Sequence, residues 1–150
     1  MAENLRKEAQ ARGVDPARLV FARMLHIPEH LARHQLADLF LDTLPYNAHT
    51  TASDALWASL PLLTCAGETF AGRVAGSLLQ ASGMPELITT SPEAYEAIAL
   101  KLASEPSRVA VLRRRLEQQR PSAALFDIAR FTRNLEAAYI RMWEEFCSRR

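Results

Sequence analysis

The segment Asn47-Ala48-His49-Thr50-Thr51-Ala52-Ser53-Asp54 holds the residue types whose spacing lends itself most directly to chemistry. If a helix begins at Thr50, then His49 and Thr50 sit where free backbone N–H groups and the positive end of the helix dipole favour an anion. Thr50 and Thr51 add two hydroxyl donors, and no glycine-rich loop is required. Asp54 follows about one turn later, where its carboxylate could accept hydrogen bonds from sugar hydroxyls. The same residues also fit an ordinary helix start followed by a solvated helix. Ala66-Gly67-Glu68-Thr69-Phe70 repeats the theme, and it reads equally as a plain strand-to-helix turn.

Other clusters offer less. His26, His30 and His34 recur at every fourth position, a metal-type spacing. Pro28 breaks that face, however, and leaves only His30 and His34 to share a helix, with no cysteine or carboxylate to complete a ligand set. Arg113-Arg114-Arg115, with Arg108 and Arg120 nearby, forms a basic run, but Glu117 interrupts it and a solvated face is the simpler reading. A serine–histidine–aspartate order, a zinc-protease helix and a nucleotide-binding glycine loop are all absent from the sequence.

The elements that must position these residues follow from hydrophobic runs and their punctuation. Glu3 to Arg12 predicts a charged helix stopped by Gly13. Arg18 to Ala22 reads as a first buried strand, Glu29 to Ala37 as a helix opened by Pro28, and Leu39 to Thr43 as a second strand. A helix from Thr50 to about Ser59, a strand at Pro61 to Cys65, a long helix from Gly67 to Ser82 and a short strand at Glu86 to Thr89 complete an alternating βα pattern. The strands lack polar alternation, as in a parallel sheet covered on both faces. After residue 90 the pattern turns helical. Ser91 caps a helix from Pro92 to about Ser104, Pro106 opens another ending near Arg120, and Asp127 opens the longest, with Ile128, Phe131, Leu135, Ala138, Met142 and Phe146 on one face. Such a stripe is usually core. In open parallel sheets ligands bind at the carboxyl ends of strands, which selects the loops at Arg23–His30, Leu44–Thr51 and Ala66–Thr69.

A chain of 150 residues holds one ordinary domain, and its 49% hydrophobic and 23% charged content is globular. Eighteen basic against 17 acidic residues leave a net charge of +1, so whole-chain electrostatics give no case for nucleic acid. Cys65 and Cys147 are too few and too far apart for a disulfide framework or zinc knuckle. No signal peptide and no membrane-length apolar run is present. The expectation is a reducing, cytoplasmic compartment.

At His30-Leu31-Ala32-Arg33-His34-Gln35-Leu36-Ala37-Asp38-Leu39-Phe40-Leu41-Asp42-Thr43 the sequence resembles the catalytic region of O-linked N-acetylglucosamine transferases. Tyr46 to Ala58 continues the match, as do Pro61-Leu62-Leu63-Thr64, Gly67 to Ala75, Leu125-Phe126 and Tyr139 to Glu144. The likeness covers roughly residues 14 to 146 and is strongest to bacterial members, whose full chains often carry tetratricopeptide repeats upstream. It implies a GT-B fold, in which two Rossmann-like lobes hold UDP-N-acetylglucosamine in a cleft and pass the sugar, with inversion and without a metal, to serine or threonine of proteins. This chain would be an α/β partial Rossmann-like parallel sheet, the second half of a GT-B C-terminal lobe, followed by a helical C-terminal tail. As a single partial domain it would place βα units at about 14–90 and the tail at about 91–148.

The resemblance assigns UDP-binding roles residue by residue. His30 and Arg33 match positions beside the uracil, and Leu25 a backbone contact to the base. His49, Thr50 and Thr51 match the diphosphate-binding helix start, and Asp54 the carboxylate on the ribose hydroxyls. Ile27 stands where animal relatives carry a lysine. The family's phosphate lysine with its neighbouring glutamine, the first lobe with its acceptor-side histidine, and two strands of the second lobe all belong upstream of the matched stretch. The expected role is therefore UDP-sugar binding for N-acetylglucosamine transfer to proteins, with no catalytic residue and no cofactor of its own. The alternative is a non-catalytic UDP- or protein-binding domain derived from that lobe. Expected partners are UDP or a UDP-sugar and, in a full-length enzyme, a protein acceptor; nucleic acid and membrane are not expected. In the family's lobe the strand equivalent to Leu19–Phe21 is separated from Leu39–Asp42 by the two upstream strands. Here they must pair directly or leave an edge exposed, and self-association is expected.

Overall fold

The computed structural model describes residues 1–149, and the chain divides at the His30–Leu31 junction into two compact units. In the first unit α1 (Ala2–Ala11) is held on its surface by ion pairs one turn apart, Lys7 with Glu3 at 3.1 Å and Arg12 with Glu8. Gly13 ends it as expected: at φ +73° it takes the left-handed conformation glycine tolerates, and the Val14 N–H turns back to the Ala9 carbonyl at 2.9 Å. Asp15 then accepts from the Ala17 N–H at 2.9 Å and opens a 3₁₀ turn over Pro16–Arg18. The strand expected at Arg18–Ala22 does not form. An apolar run becomes a strand only when a neighbouring strand takes its N–H and C=O groups; this unit has none, and the Arg18 and Leu19 N–H groups turn back to the Asp15 and Pro16 carbonyls instead. Val20 is 88% exposed, and Phe21 lies under the Arg6 guanidinium, 4.8 Å from the ring centre.

Helix α2 (Ile27–Arg33) crosses the junction, starting earlier than expected and tightening into a 3₁₀ turn at His34–Leu36 rather than continuing to Ala37. The second unit then builds a parallel sheet in the order β1 (Phe40–Leu41), β2 (Leu62–Cys65), β3 (Ile88–Thr89). Phe40 stands opposite Leu62, and Thr64 opposite Ile88. Helices α3 (Thr50–Trp57) and α4 (Val74–Ala81) are the two crossovers; they pack on each other and on β2. A run of right-handed crossovers moving one way across a sheet puts both on one face. Helix α5 (Pro92–Ser104) covers β2 and β3 and packs on α6 (Pro106–Gln119). Every residue of β2 is buried, as its lack of polar alternation predicted.

The core joins Leu56 of α3, Leu62 and Leu63 of β2, Leu79 of α4, Leu102 of α5 and Leu112 and Leu116 of α6. Leu63 has no exposed surface at all. Leu63→Ala should therefore lower unfolding free energy by about 2–5 kcal/mol, the range for truncating a buried leucine. Chemical denaturation of the purified chain checks this, and a loss below about 1 kcal/mol would mean that the site collapses around the missing atoms.

Local signals were accurate where their chemistry is local. Ser91 Oγ accepts from the Ala94 N–H at 3.2 Å to start α5, and Asp127 Oδ1 from the Arg130 N–H at 2.9 Å to start α7 (Ile128–Ser148). Two expectations fail. Helix α4 starts at Val74, not at Gly67, because residues 67–73 close on themselves: Gly67 N–H donates to the Gly72 carbonyl at 2.7 Å. The stripe on α7 is not core, since none of its described residues is buried; Phe131 and Met142 are each 63% exposed. The arginine run is not a free basic face either. Arg113 donates to the Ala37 carbonyl, Arg115 to the Gly83 carbonyl at 2.6 Å and to Glu86, and Arg120 to the Trp57 carbonyl at 3.0 Å. They pin α6 and its end to the rest of this unit.

One edge of the sheet is open. The N–H groups of Phe40 and Asp42 donate towards β2, to Pro61 and Leu63 carbonyls at 2.8 and 3.0 Å, so by the alternation of a parallel ladder the Leu41 groups face the other side. No described strand lies there, and Leu41 is 54% exposed. A cavity of about 720 Å³ adjoins this edge, lined by Leu39, Leu41, Leu102, Val109 and Arg113 among others. None of the residues expected to bind UDP lines it.

Candidate functional site

The loops that follow β1 and β2 meet at the carboxyl end of the sheet. The Asn47 N–H donates to the Ala71 carbonyl at 3.0 Å, and its side-chain amide donates to Thr43 and Cys65 carbonyls at 3.0 and 3.4 Å. Gly72 is required at this crossing. A Cβ there would lie 3.1 Å from the Pro45 carbonyl oxygen and 3.3 Å from Gly67 Cα, both backbone atoms. Asn47 is 1% exposed, and its Oδ1 has no partner among the described residues.

From this junction the chain enters α3. Its first residue outside the helix, His49, makes no capping bond with its side chain. The imidazole is turned aside instead, stacked on Tyr46 with ring centres 5.0 Å apart and edge-on to Phe70 at 6.1 Å. Its Nε2 lies 3.4 Å from the Ala71 carbonyl, an acceptor that suits the tautomer with the proton on Nε2. The first N–H groups of a helix have no intrahelical acceptor. Here the Ala48 N–H is taken by Asp42 and the Ser53 N–H by the His49 carbonyl, whereas those of Thr50, Thr51 and Ala52 have no acceptor among the described residues. Thr50 and Thr51 are exposed, Ala52 and Ala55 are buried against the sheet, and Asp54 is half-buried. The helix thus anchors one side in the core, Ala52 included, and presents the uncapped Thr50 and Thr51 amides with their two hydroxyls on the other. This arrangement can hold an anion.

The structure brings His49, Thr50, Thr51 and Asp54 together on this one helix start. Arg33 is half-buried in the second unit, while Leu25 and His30, also half-buried, belong to the first. Among the described residues no three histidine, cysteine or carboxylate side chains gather as a metal would need, and His26 precedes α2. The loop at Ala66–Thr69 is not a second helix start; Thr69 Oγ1 accepts from the Gly72 N–H at 3.1 Å and closes the turn.

Sequence reasoning passed over the groups that hold this site. Asp42, read only as strand, is 5% exposed and takes three hydrogen bonds at the end of β1. Tyr95 of α5 donates to the Asp42 carbonyl at 2.9 Å. Burial, and then the nearby Asp42 and Cys65, push its phenol above the usual tyrosine range, so it keeps the proton it donates. An aspartate closing an apolar run just before a polar loop was the available signal.

Comparison with known proteins bears on the family and the fold. Residues 2–135 match Glycosyl transferase family 41. A UDP-N-acetylglucosamine--peptide N-acetylglucosaminyltransferase of Caenorhabditis elegans is 38% identical over 144 residues, which cover 96% of this chain and 12% of that protein. The Arabidopsis thaliana protein named "Probable UDP-N-acetylglucosamine--peptide N-acetylglucosaminyltransferase SEC" is 41% identical over 144 residues, covering 95% of this chain and 15% of that one. A solved structure of a Thermobaculum terrenum O-GlcNAc transferase mutant superposes with a TM-score of 0.91 at 37% identity, over 98% of this chain and 28% of that one. The chain thus spans 12–15% of the length of these two relatives and 28% of the solved chain, and its parallel sheet with flanking helices and helical tail matches part of a GT-B glycosyltransferase. With nearly its whole length matched, in sequence and in fold, the chain belongs to glycosyl transferase family 41.

Proposed function

We propose that this chain supplies part of the UDP-sugar site of a protein O-GlcNAc transferase-type enzyme, with the start of α3 taking the diphosphate. The observation that carries this reading is the uncapped helix start, where the amides of Thr50 and Thr51 lack acceptors among the described residues and both threonines are exposed. As the sugar departs, negative charge builds on the diphosphate, and fixed amide dipoles stabilise it without reorganising. Such a site calls for no metal. Asp54, one turn on, takes the ribose hydroxyls, and the resemblance alone assigns Leu25, His30 and Arg33 to the base. The donor would be UDP-N-acetylglucosamine and the acceptor a serine or threonine of a protein. No helix of the described residues is long and apolar enough to cross a membrane. Cys65 and Cys147 are free thiols, in keeping with a reducing, cytoplasmic setting. The open β1 edge and the exposed face of α7 further support self-association of the chain by itself.

Titration calorimetry with UDP tests the reading. The wild-type chain should bind, and Thr50→Ala/Thr51→Ala should abolish most of the heat by removing both hydroxyls. Asp54→Asn, which keeps size but removes the charge from an acceptor, should weaken binding about ten- to a hundredfold. No binding at millimolar UDP would remove α3 from the diphosphate site.

A further inference from the structure

Asp42 is only 5% exposed, and burying a carboxylate is unfavourable unless its oxygens are satisfied. They are. Oδ1 accepts the N–H groups of Thr43 at 2.8 Å and of Ala48 at 2.7 Å, closing the turn between β1 and α3 across its own mouth. Oδ2 accepts the Thr64 hydroxyl of β2 at 2.6 Å. Thr64 is itself tied to β3, since its carbonyl accepts the Thr89 hydroxyl at 2.9 Å, and Tyr95 of α5 fastens the Asp42 main chain. A continuous line of hydrogen bonds therefore runs from β3 through β2 to the residue just before His49. Charge-assisted bonds of this length are the stronger kind.

We propose that Asp42 is the positioning residue of the anion site at α3, holding the turn so that the exposed, uncapped amides of Thr50 and Thr51 point at one place. It acts through Ala48, without touching the ligand, and by occupying the Ala48 N–H it decides which amides remain for a diphosphate. The role rests on the diphosphate reading above. Thr64 is its support: the hydroxyl orients the carboxylate by holding the oxygen that faces away from the turn.

The test combines amide hydrogen exchange of the ligand-free chain, followed residue by residue by NMR, with UDP titration of the same samples. Asp42→Ala should speed exchange at Ala48 and Thr43 by about tenfold or more and weaken UDP binding about ten- to a hundredfold. Asp42→Asn should recover most of both, because its amide oxygen can still accept from the two N–H groups while its NH₂ donates to the Thr64 hydroxyl. Thr64→Val, which keeps the shape of the β2 side chain, should weaken UDP binding about fivefold and carries the test should Asp42→Ala not fold. Unchanged Ala48 exchange in Asp42→Ala overturns the proposal, as does an Asn variant no better than Ala, or UDP binding by Thr64→Val equal to wild type. A wild-type chain that protects Ala48 through Asp42 yet binds no UDP sinks the diphosphate reading, and the anion role of Asp42 with it, while leaving the clamp on the turn established.

Discussion

Incubated with radiolabelled UDP-N-acetylglucosamine and a serine- or threonine-bearing peptide, the 150-residue chain is expected to transfer no sugar. Transfer needs an acceptor hydroxyl held against the anomeric carbon and stabilisation of the departing diphosphate. The start of α3 offers part of the second requirement. By resemblance, the lysine that carries most of the phosphate charge and the acceptor-side histidine belong to regions outside the matched stretch. The two lysines of this chain are no substitute: Lys7 pairs with Glu3 on α1, and Lys101 lies in the last turn of α5. Losing acceptor positioning alone forfeits on the order of 10⁵-fold or more in rate. Each missing charge-stabilising donor removes roughly another 10²–10³-fold. Incorporation should therefore equal the no-protein background. Measurable glycopeptide would show that α3 and its surroundings suffice for chemistry, and the proposed division of labour would be wrong.

Sedimentation velocity on the same chain should show dimers or larger species. Helix α7 carries Ile128, Phe131, Tyr139, Met142 and Trp143 each more than half exposed, and no described residue of this helix is buried. It touches the rest of the second unit mainly through the short turn at Ala124–Phe126. An apolar stripe of that length in water is a strong drive to association. The open edge at Leu41 adds backbone groups that can pair with a second chain. Phe131→Glu together with Met142→Glu should shift the distribution to monomer, because two charges on the stripe cannot be buried without partners. A wild-type chain that sediments as a clean monomer would overturn this expectation. If the wild type associates and the double variant still does so, the α7 face is excluded and the β1 edge becomes the interface.

What the sequence by itself determined is what depends on neighbours a few residues away. The starts of α5 and α7 were legible because Ser91 and Asp127 cap N–H groups three residues on. Gly13 ended α1 through its own backbone conformation. The β2 run lacked polar alternation and proved buried on both faces. The start of α3 at Thr50 was likewise legible, so the candidate anion site could be located before any fold was known. Tertiary structure decided everything that needs a distant partner. Leu19 to Phe21 has the composition of a strand, but hydrogen bonding to a neighbour makes a strand, and none is present in its unit. The start of α4 moved to Val74 because Gly72 packs against Pro45, a residue of the previous loop. Phe131 and Met142 have the spacing of core, and whether a stripe is core depends on what covers it. Asp42 shows the same division most sharply: its type and place after an apolar run were visible, while its partners Thr64, and Tyr95 at its carbonyl, lie far along the chain. Local rules fix backbone direction over a turn or two, and only the packing of remote segments settles which polar groups meet and which apolar faces stay wet.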